Sequence, residues 1–197
     1  MERIYIFKPF ERFWHWSQAL LVIFMMLTGF EVHGSYTLFG YGLAVEYHAQ
    51  AAWLLIGLWL LAIFWHFTTG EWKQYIPTMD KAEAMFFYYI SGIFQEAPHP
   101  FRQSTLRKHN PLQRIAYLFV KLMINPLLWG TGLLYMYYNS WGEWGLSWLP
   151  LQWIALLHTI GAFLMLLFFV LHIYLATAGH TALSHIKAMV TGWEELD

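Results

Sequence analysis

Of the chain's 197 residues only 12% are Asp, Glu, Lys or Arg, while 58% are hydrophobic and 20% aromatic. A soluble domain carries about 25% charged residues, so this surface is not built for water and the chain reads as an integral membrane protein. The absence of cysteine excludes disulfides, Cys-bound zinc, iron–sulfur clusters and thiolate nucleophiles, and a net charge of −1 leaves no basic field for nucleic acid.

Charge-free windows at 13–30, 47–70, 122–140 and 145–186 locate the crossings. A helix needs about 20 apolar residues to traverse the hydrocarbon. The first three windows supply one crossing each, and the fourth an outer loop, one helix and its exit. The predicted spans are 13–33, 46–70, 112–138 and 151–177. The expected fold class is therefore an all-α membrane protein, a four-transmembrane-helix bundle forming one domain over residues 1–197. Glu2, Arg3, Lys8, Glu11 and Arg12 precede the first window and no small-residue cleavage site follows it. It reads as a mature span rather than a signal peptide.

Between the second and third spans, the 71–111 segment is too long for a plain connector. Asp80-Lys81-Ala82-Glu83 predicts a capping box opening an amphipathic helix through about Phe94, with Met85, Phe86, Tyr89, Ile90 and Ile93 on one face. That helix is expected to lie along the cytoplasmic interface, ended by Pro98 and Pro100.

Arg3, Lys8, Arg12, Lys73, Lys81, Arg102, Arg107, Lys108, Arg114 and Lys187 fall on the side of the termini, and the opposite loops, 34–45 and 139–150, contain no Lys or Arg. Lys121 lies inside the third span, nearer the same side, and can snorkel toward it. This asymmetry predicts cytoplasmic termini and a bacterial inner-membrane protein. Trp14, Trp16, Trp65 and Trp72 mark the inner boundary; Tyr36, Tyr41, Trp141, Trp144 and Trp148 mark the outer one.

Ionisable side chains inside spans point to function, because an unpaired polar group in hydrocarbon is expensive. His15 lies near the inner end of the first helix, His48 near the outer end of the second, and His158 and His172 on the fourth. Fourteen residues turn a helix through about 1400°, roughly 40° short of four turns, so His158 and His172 share a face with a rise of about 21 Å between them. Two metal centres stacked across a bilayer need such a ruler. An iron porphyrin with two protein ligands takes one neutral imidazole from each of two facing helices. Depth pairs His48 with His158 at the outer level and His15 with His172 at the inner level. Arg12, three residues before His15, is placed to meet a haem propionate. Gly29, fourteen residues after His15, would show the outer porphyrin only a hydrogen atom.

His33 and His66 lie eighteen residues beyond His15 and His48, five turns on and on the same faces. His33 could replace His48 and His66 could replace His15, although their places near helix ends favour interfacial roles. His99, His109, His180 and His185 are expected on solvated surface.

Taken in order, Arg12-Phe13-Trp14-His15-Trp16 with Thr28-Gly29, Asn110-Pro111-Leu112-Gln113-Arg114 with Tyr117 and Thr131-Gly132, and Leu157-His158 through Leu171-His172-Ile173-Tyr174 to Ala188-Met189-Val190-Thr191-Gly192 resemble the bacterial di-haem b-type cytochromes. These are the membrane cytochrome b subunits of nickel–iron hydrogenases, formate dehydrogenases and thiosulfate reductases. The resemblance implies two non-covalent b haems held by helices 1, 2 and 4, with helix 3 supplying no ligand. It also implies a quinone near the inner haem, with Asn110 in the position of a quinone-site asparagine beside His172.

The expected function is transmembrane electron transfer between a periplasmic redox subunit (a hydrogenase, molybdopterin enzyme or multihaem cytochrome) and the quinone pool, the chain being an electron-transfer subunit of a larger oxidoreductase. Two rivals stand beside it: a stand-alone di-haem quinone reductase oxidising a small species such as superoxide, and a haem-free metal or proton transporter. The outer side offers no cation to steer an anion, which favours a protein partner.

Overall fold

A computed structural model of the chain describes every residue except 1, 96, 102, 178–180, 182 and 197. The expectations for Arg102 and His180 lie outside the described residues. In chain order the elements are β1 (Glu2–Tyr5), α1 (Pro9–Val32), α2 (Tyr41–Thr69), α3 (Ala82–Ile90), α4 (Pro111–Met136), α5 (Leu151–Ala176), α6 (Ser184–Thr191) and β2 (Trp193–Leu196). Among the described residues, helices α1, α2, α4 and α5 are the four long and apolar enough to cross a membrane.

Two of these helices, α1 and α2, begin four to five residues before the predicted spans, because carboxylates build their ends. Glu11 accepts the backbone N–H of Lys8 at 2.7 Å, so α1 opens at Pro9, where proline's fixed φ suits the first turn. Glu31, 4% exposed, uses Oε1 to accept the N–H groups of Leu38, Phe39 and Gly40 at 2.7–2.8 Å. Gly40 turns there with φ 87°, a conformation natural to glycine, and α2 starts at Tyr41. Within α4, Val120–Ile124 form a π-helical turn. It lies directly before Asn125-Pro126; proline lacks the N–H that an unbroken helix needs and crowds the preceding turn. Lys121 sits in this π turn.

The chain divides into two compact units: Met1–Leu20 with Leu55–Leu118 and Leu171–Asp197, and Leu21–Leu54 with Phe119–Val170. In the first unit the two ends of the chain pair as antiparallel strands, with Arg3 opposite Glu195 and Tyr5 opposite Trp193. Arg12 Nη1 donates to the Val190 carbonyl at 2.7 Å and Trp16 Nε1 to that of Met189 at 3.1 Å. The same unit holds a buried ion cluster. The Lys108 ammonium, 3% exposed, meets Glu11 at 2.8 Å and Glu71 at 2.9 Å, and Glu71 reaches Lys8 at 2.6 Å. Burial alone would raise the Glu71 carboxyl, but the hydrogen bonds and charges of Lys8 and Lys108 outweigh it and hold it below the usual carboxylate range. In the second unit, Gly161 faces Leu128 so closely that an added Cβ would stand 2.9 Å from its side chain, the small-residue contact by which membrane helices approach.

The segment before α4 departs from the sequence expectation. Lys81 adopts φ 60° and precedes a helix with no side-chain cap, so the predicted capping box at Asp80 does not form; Asp80 instead takes its N–H to Thr78 Oγ1. The helix ends at Ile90, and Gly92–Gln95 is a 3-10 turn. Its predicted single face is split: Met85 is fully buried, whereas Phe86 and Ile90 are 50% and 58% exposed. Trp141, expected as a boundary marker, is buried and donates to the Leu134 carbonyl at 2.9 Å.

Candidate metal centres

Among the described residues, each unit brings one pair of imidazoles close together. In the second, the rings of His48 on α2 and His158 on α5 have centroids 6.2 Å apart; in the first, those of His15 on α1 and His172 on α5 are 6.1 Å apart. A metal-bound imidazole nitrogen lies about 2.0 Å from the ion and about 1.1 Å from its own ring centre, so two rings facing across one ion stand about 6.2 Å apart. Among the described residues no group of three His, Cys, Asp or Glu gathers to hold a metal. Two imidazoles alone suit an ion whose remaining four ligands come from a porphyrin, the b-haem arrangement.

The second unit shows how its pair is held. Thr28 Oγ1 donates to the Phe24 carbonyl at 2.9 Å and lies 3.1 Å from His48 Nδ1; Thr131 Oγ1 donates to the Leu127 carbonyl at 2.6 Å and lies 2.9 Å from His158 Nδ1. With each hydroxyl proton committed to its own helix, the oxygen accepts, so Nδ1 carries the imidazole proton and Nε2 keeps a lone pair available to a metal. The next residue in each case is glycine. A Cβ on Gly29 would stand 3.1 Å from His48 Cε1, and one on Gly132 3.3 Å from His158 Cε1. Thr-Gly on α1 and Thr-Gly on α4 are thus the same device, one residue to orient a ring and one to make room for it. Gly29, which sequence reasoning set against the outer porphyrin, lies against the imidazole of His48. Helix α4, which carries no histidine, holds the His158 ring through Thr131, and only the repeated Thr-Gly pair signalled that. An apolar cleft of about 460 Å³ in this unit is lined by Ile23, Met26, Leu27, Phe30, Tyr36, Leu166 and Phe169.

In the first unit, His15 Nδ1 is buried with no hydrogen-bond partner among the described residues. Arg12, given to a propionate in the sequence reading, spends Nη1 on Val190 and keeps a buried Nε that no described residue meets. His66 is buried, its Nδ1 2.6 Å from the Ala62 carbonyl and its Nε2 3.4 Å from the Tyr75 hydroxyl. His33 is exposed beside Phe163. Neither stands in the imidazole pairs described above. His109, expected on solvated surface, stacks on Tyr75 at 5.2 Å and meets Tyr117 edge-on at 5.2 Å. The Tyr117 ring in turn lies 6.3 Å from that of His172. His185 likewise is not free in solvent: it lies 3.1 Å from buried Glu194. His99 is exposed, packed edge-on against Tyr88.

Asn110 is 3% exposed and caps α4. Its Oδ1 accepts the Gln113 N–H at 2.8 Å while Gln113 Oε1 accepts the Asn110 N–H at 2.9 Å, and its Nδ2 donates to the Tyr89 hydroxyl at 2.9 Å.

A family model described as prokaryotic cytochrome b561 matches residues 6–192. The chain belongs to the prokaryotic cytochrome b561 family. It is 32% identical over 201 residues to a protein of Escherichia coli (strain K12) provisionally named cytochrome YdhU, covering 98% of this chain and 75% of that one. It is 24% identical over 127 residues to a protein of Azospira oryzae provisionally named as a protein-methionine-sulfoxide reductase subunit, YedZ1, covering 58% of this chain and 61% of that one. No solved structure matches. This cytochrome b561 member is accordingly a multi-pass bacterial membrane protein of b-haem electron transfer.

Proposed function

We propose that the chain carries electrons across the bacterial inner membrane between a redox subunit on the periplasmic side and quinone on the cytoplasmic side, holding two b haems by His48 with His158 and His15 with His172. The observation that carries this reading is the pair of facing imidazoles in each unit, 6.2 and 6.1 Å apart. When bound, haem supplies a one-electron carrier whose iron cycles between two oxidation states.

The chain's own residues do the rest. Thr28 and Thr131 fix the tautomer of the outer imidazoles, and Gly29 and Gly132 let those rings stand against their helices. Arg12, with Nε uncommitted, supplies positive charge beside His15. Asn110 and the aromatic residues Tyr75, His109 and Tyr117, leading to His172, form the quinone site. Lysine and arginine asymmetry puts the termini in the cytoplasm. The A. oryzae relative's name, a reductase subunit, supports a partner enzyme, as do outer loops without a cation to steer a small anion.

The test is a pyridine haemochrome count on the purified protein, with reduced-minus-oxidised spectra of the wild type and His158→Ala. Two b haems per chain are expected in the first and one in the second. Loss of neither in the variant overturns the pairing, and a colourless wild-type protein overturns the conduit in favour of a transporter.

A further inference from the structure

The quinone reading leaves open which group meets the quinone. Asn110 is the residue that the family resemblance offers, yet its side chain is fully engaged. Oδ1 takes the Gln113 N–H and Nδ2 faces the Tyr89 hydroxyl. The two ends cannot exchange, because a backbone N–H can be met only by the amide oxygen. The Tyr89 oxygen is therefore an acceptor in this contact. Its own proton must point elsewhere, and among the described residues no acceptor takes it.

A quinone carbonyl is an acceptor with no proton to give, and its flat ring asks for aromatic neighbours. Tyr89 meets both demands. It comes from α3, in the long segment between the second and third spans, and lies edge-on beside the rings of Tyr88 at 5.5 Å and His99 at 6.3 Å, which pack against each other at 4.8 Å. Asn110, to which it is tied, opens α4, and Tyr117 follows two turns later on the same face, with its ring 6.3 Å from that of His172. The outbound phenol thus belongs to the face that leads to the ligand pair of the first unit. Burial raises the Tyr89 phenol, the Asn110 hydrogen bond opposing it, to about 12, so it stays a neutral donor at every physiological pH.

We propose that Tyr89 donates the hydrogen bond to a quinone carbonyl and that Asn110 acts through Tyr89, aiming the phenol proton by occupying its oxygen. This inference rests on the quinone reading above. Asn110 is thereby a positioning residue.

The experiment titrates the purified holoprotein with the fluorescent quinone-site inhibitor heptyl-hydroxyquinoline N-oxide, and separately follows haem reduction by menadiol. Removing one hydrogen bond, about 1.4 kcal/mol, predicts about a tenfold rise in inhibitor Kd for Tyr89→Phe with haem content unchanged. Asn110→Asp keeps the helix cap, since Asp is as good an N-cap, but its carboxylate captures the phenol proton. It should lose as much affinity as Tyr89→Phe, and the double variant should lose no more than either. A wild-type protein that neither binds the inhibitor nor is reduced by menadiol, while dithionite reduces it, ends the quinone reading and this inference with it. Normal wild-type binding with an unchanged Kd in Tyr89→Phe overturns this inference alone. An additional loss on placing Asn110→Asp in the Tyr89→Phe background overturns the indirect role of Asn110.

Discussion

The hydroxyl of Thr131 lies 2.9 Å from Nδ1 of His158, so α4, which carries no histidine, orients an imidazole of α5. Such outer partners typically account for a 10–100-fold difference in metal affinity. Thr131→Val, similar in shape but without the acceptor, should weaken haem retention about tenfold at the His158 pair and leave the other pair intact. Thr131→Ser should retain it. Haem release to apomyoglobin, followed optically, reads both.

Gly29 and Gly132 predict a steric counterpart. A Cβ at either would press on an imidazole at 3.1 or 3.3 Å, tight enough that the ring must give way. Gly29→Ala should shift the potential or occupancy of the His48–His158 centre in a redox titration, and Gly29→Val should abolish that centre. The His15–His172 signal should persist in both.

The buried ion cluster predicts an acid limb and an alkaline limb of stability. Glu71 titrates below the usual carboxylate range in the folded protein, so its contribution is present above the unfolded carboxylate value near 4.3 and is lost as pH falls through the depressed folded value. Lys8 is raised, chiefly by its hydrogen bond to Glu71. Its contribution is present below the unfolded value near 10.4 and is lost as pH rises through the raised one. Melting temperature against pH should therefore be flat between these limits, and Glu71→Gln should blunt both limbs.

Lys108→Met leaves Glu11 and Glu71 facing each other without the buried ammonium between them. Breaking a buried ion pair costs about 3–5 kcal/mol, so this variant should melt far below the wild type. Glu11→Gln/Glu71→Gln in the same background should recover part of the loss.

The chain's last residues reach the turn of α1 that carries His15. Arg12 and Trp16, three residues before and one after His15, donate to the Val190 and Met189 carbonyls. Truncation after Leu183 removes those acceptors together with β2, and should lower occupancy of the His15–His172 centre while sparing His48–His158. Equal retention of both haems would show that α1 needs no such anchor.

The four crossings and the histidine pairs were legible because each rests on one-dimensional information. Apolar length answers bilayer thickness, and a fourteen-residue interval on α5 repeats the helix face whatever surrounds it. The same reasoning failed where a local rule met a long-range partner. Asp80 carries the pattern of a helix cap, but Lys81 turns into the left-handed region and the helix starts without it. His109 and His185 look like loop residues until Tyr75, Tyr117 and Glu194 come to meet them. The ends of the chain, separated by the whole sequence, pair as strands that no periodicity announced.

By itself, then, the sequence determined an all-α membrane protein of four crossings, the helix faces on which its imidazoles lie, and the family whose motifs it bears. Tertiary structure alone decided that His33 and His66 stand outside the two pairs, that Thr28 and Thr131 lie against Nδ1 of His48 and His158, and that Asn110 faces a tyrosine. The reason is physical: periodicity and hydropathy act along one helix, whereas a tautomer, a hydrogen-bond direction or a buried charge is fixed by atoms that only packing brings within 3 Å or so of one another.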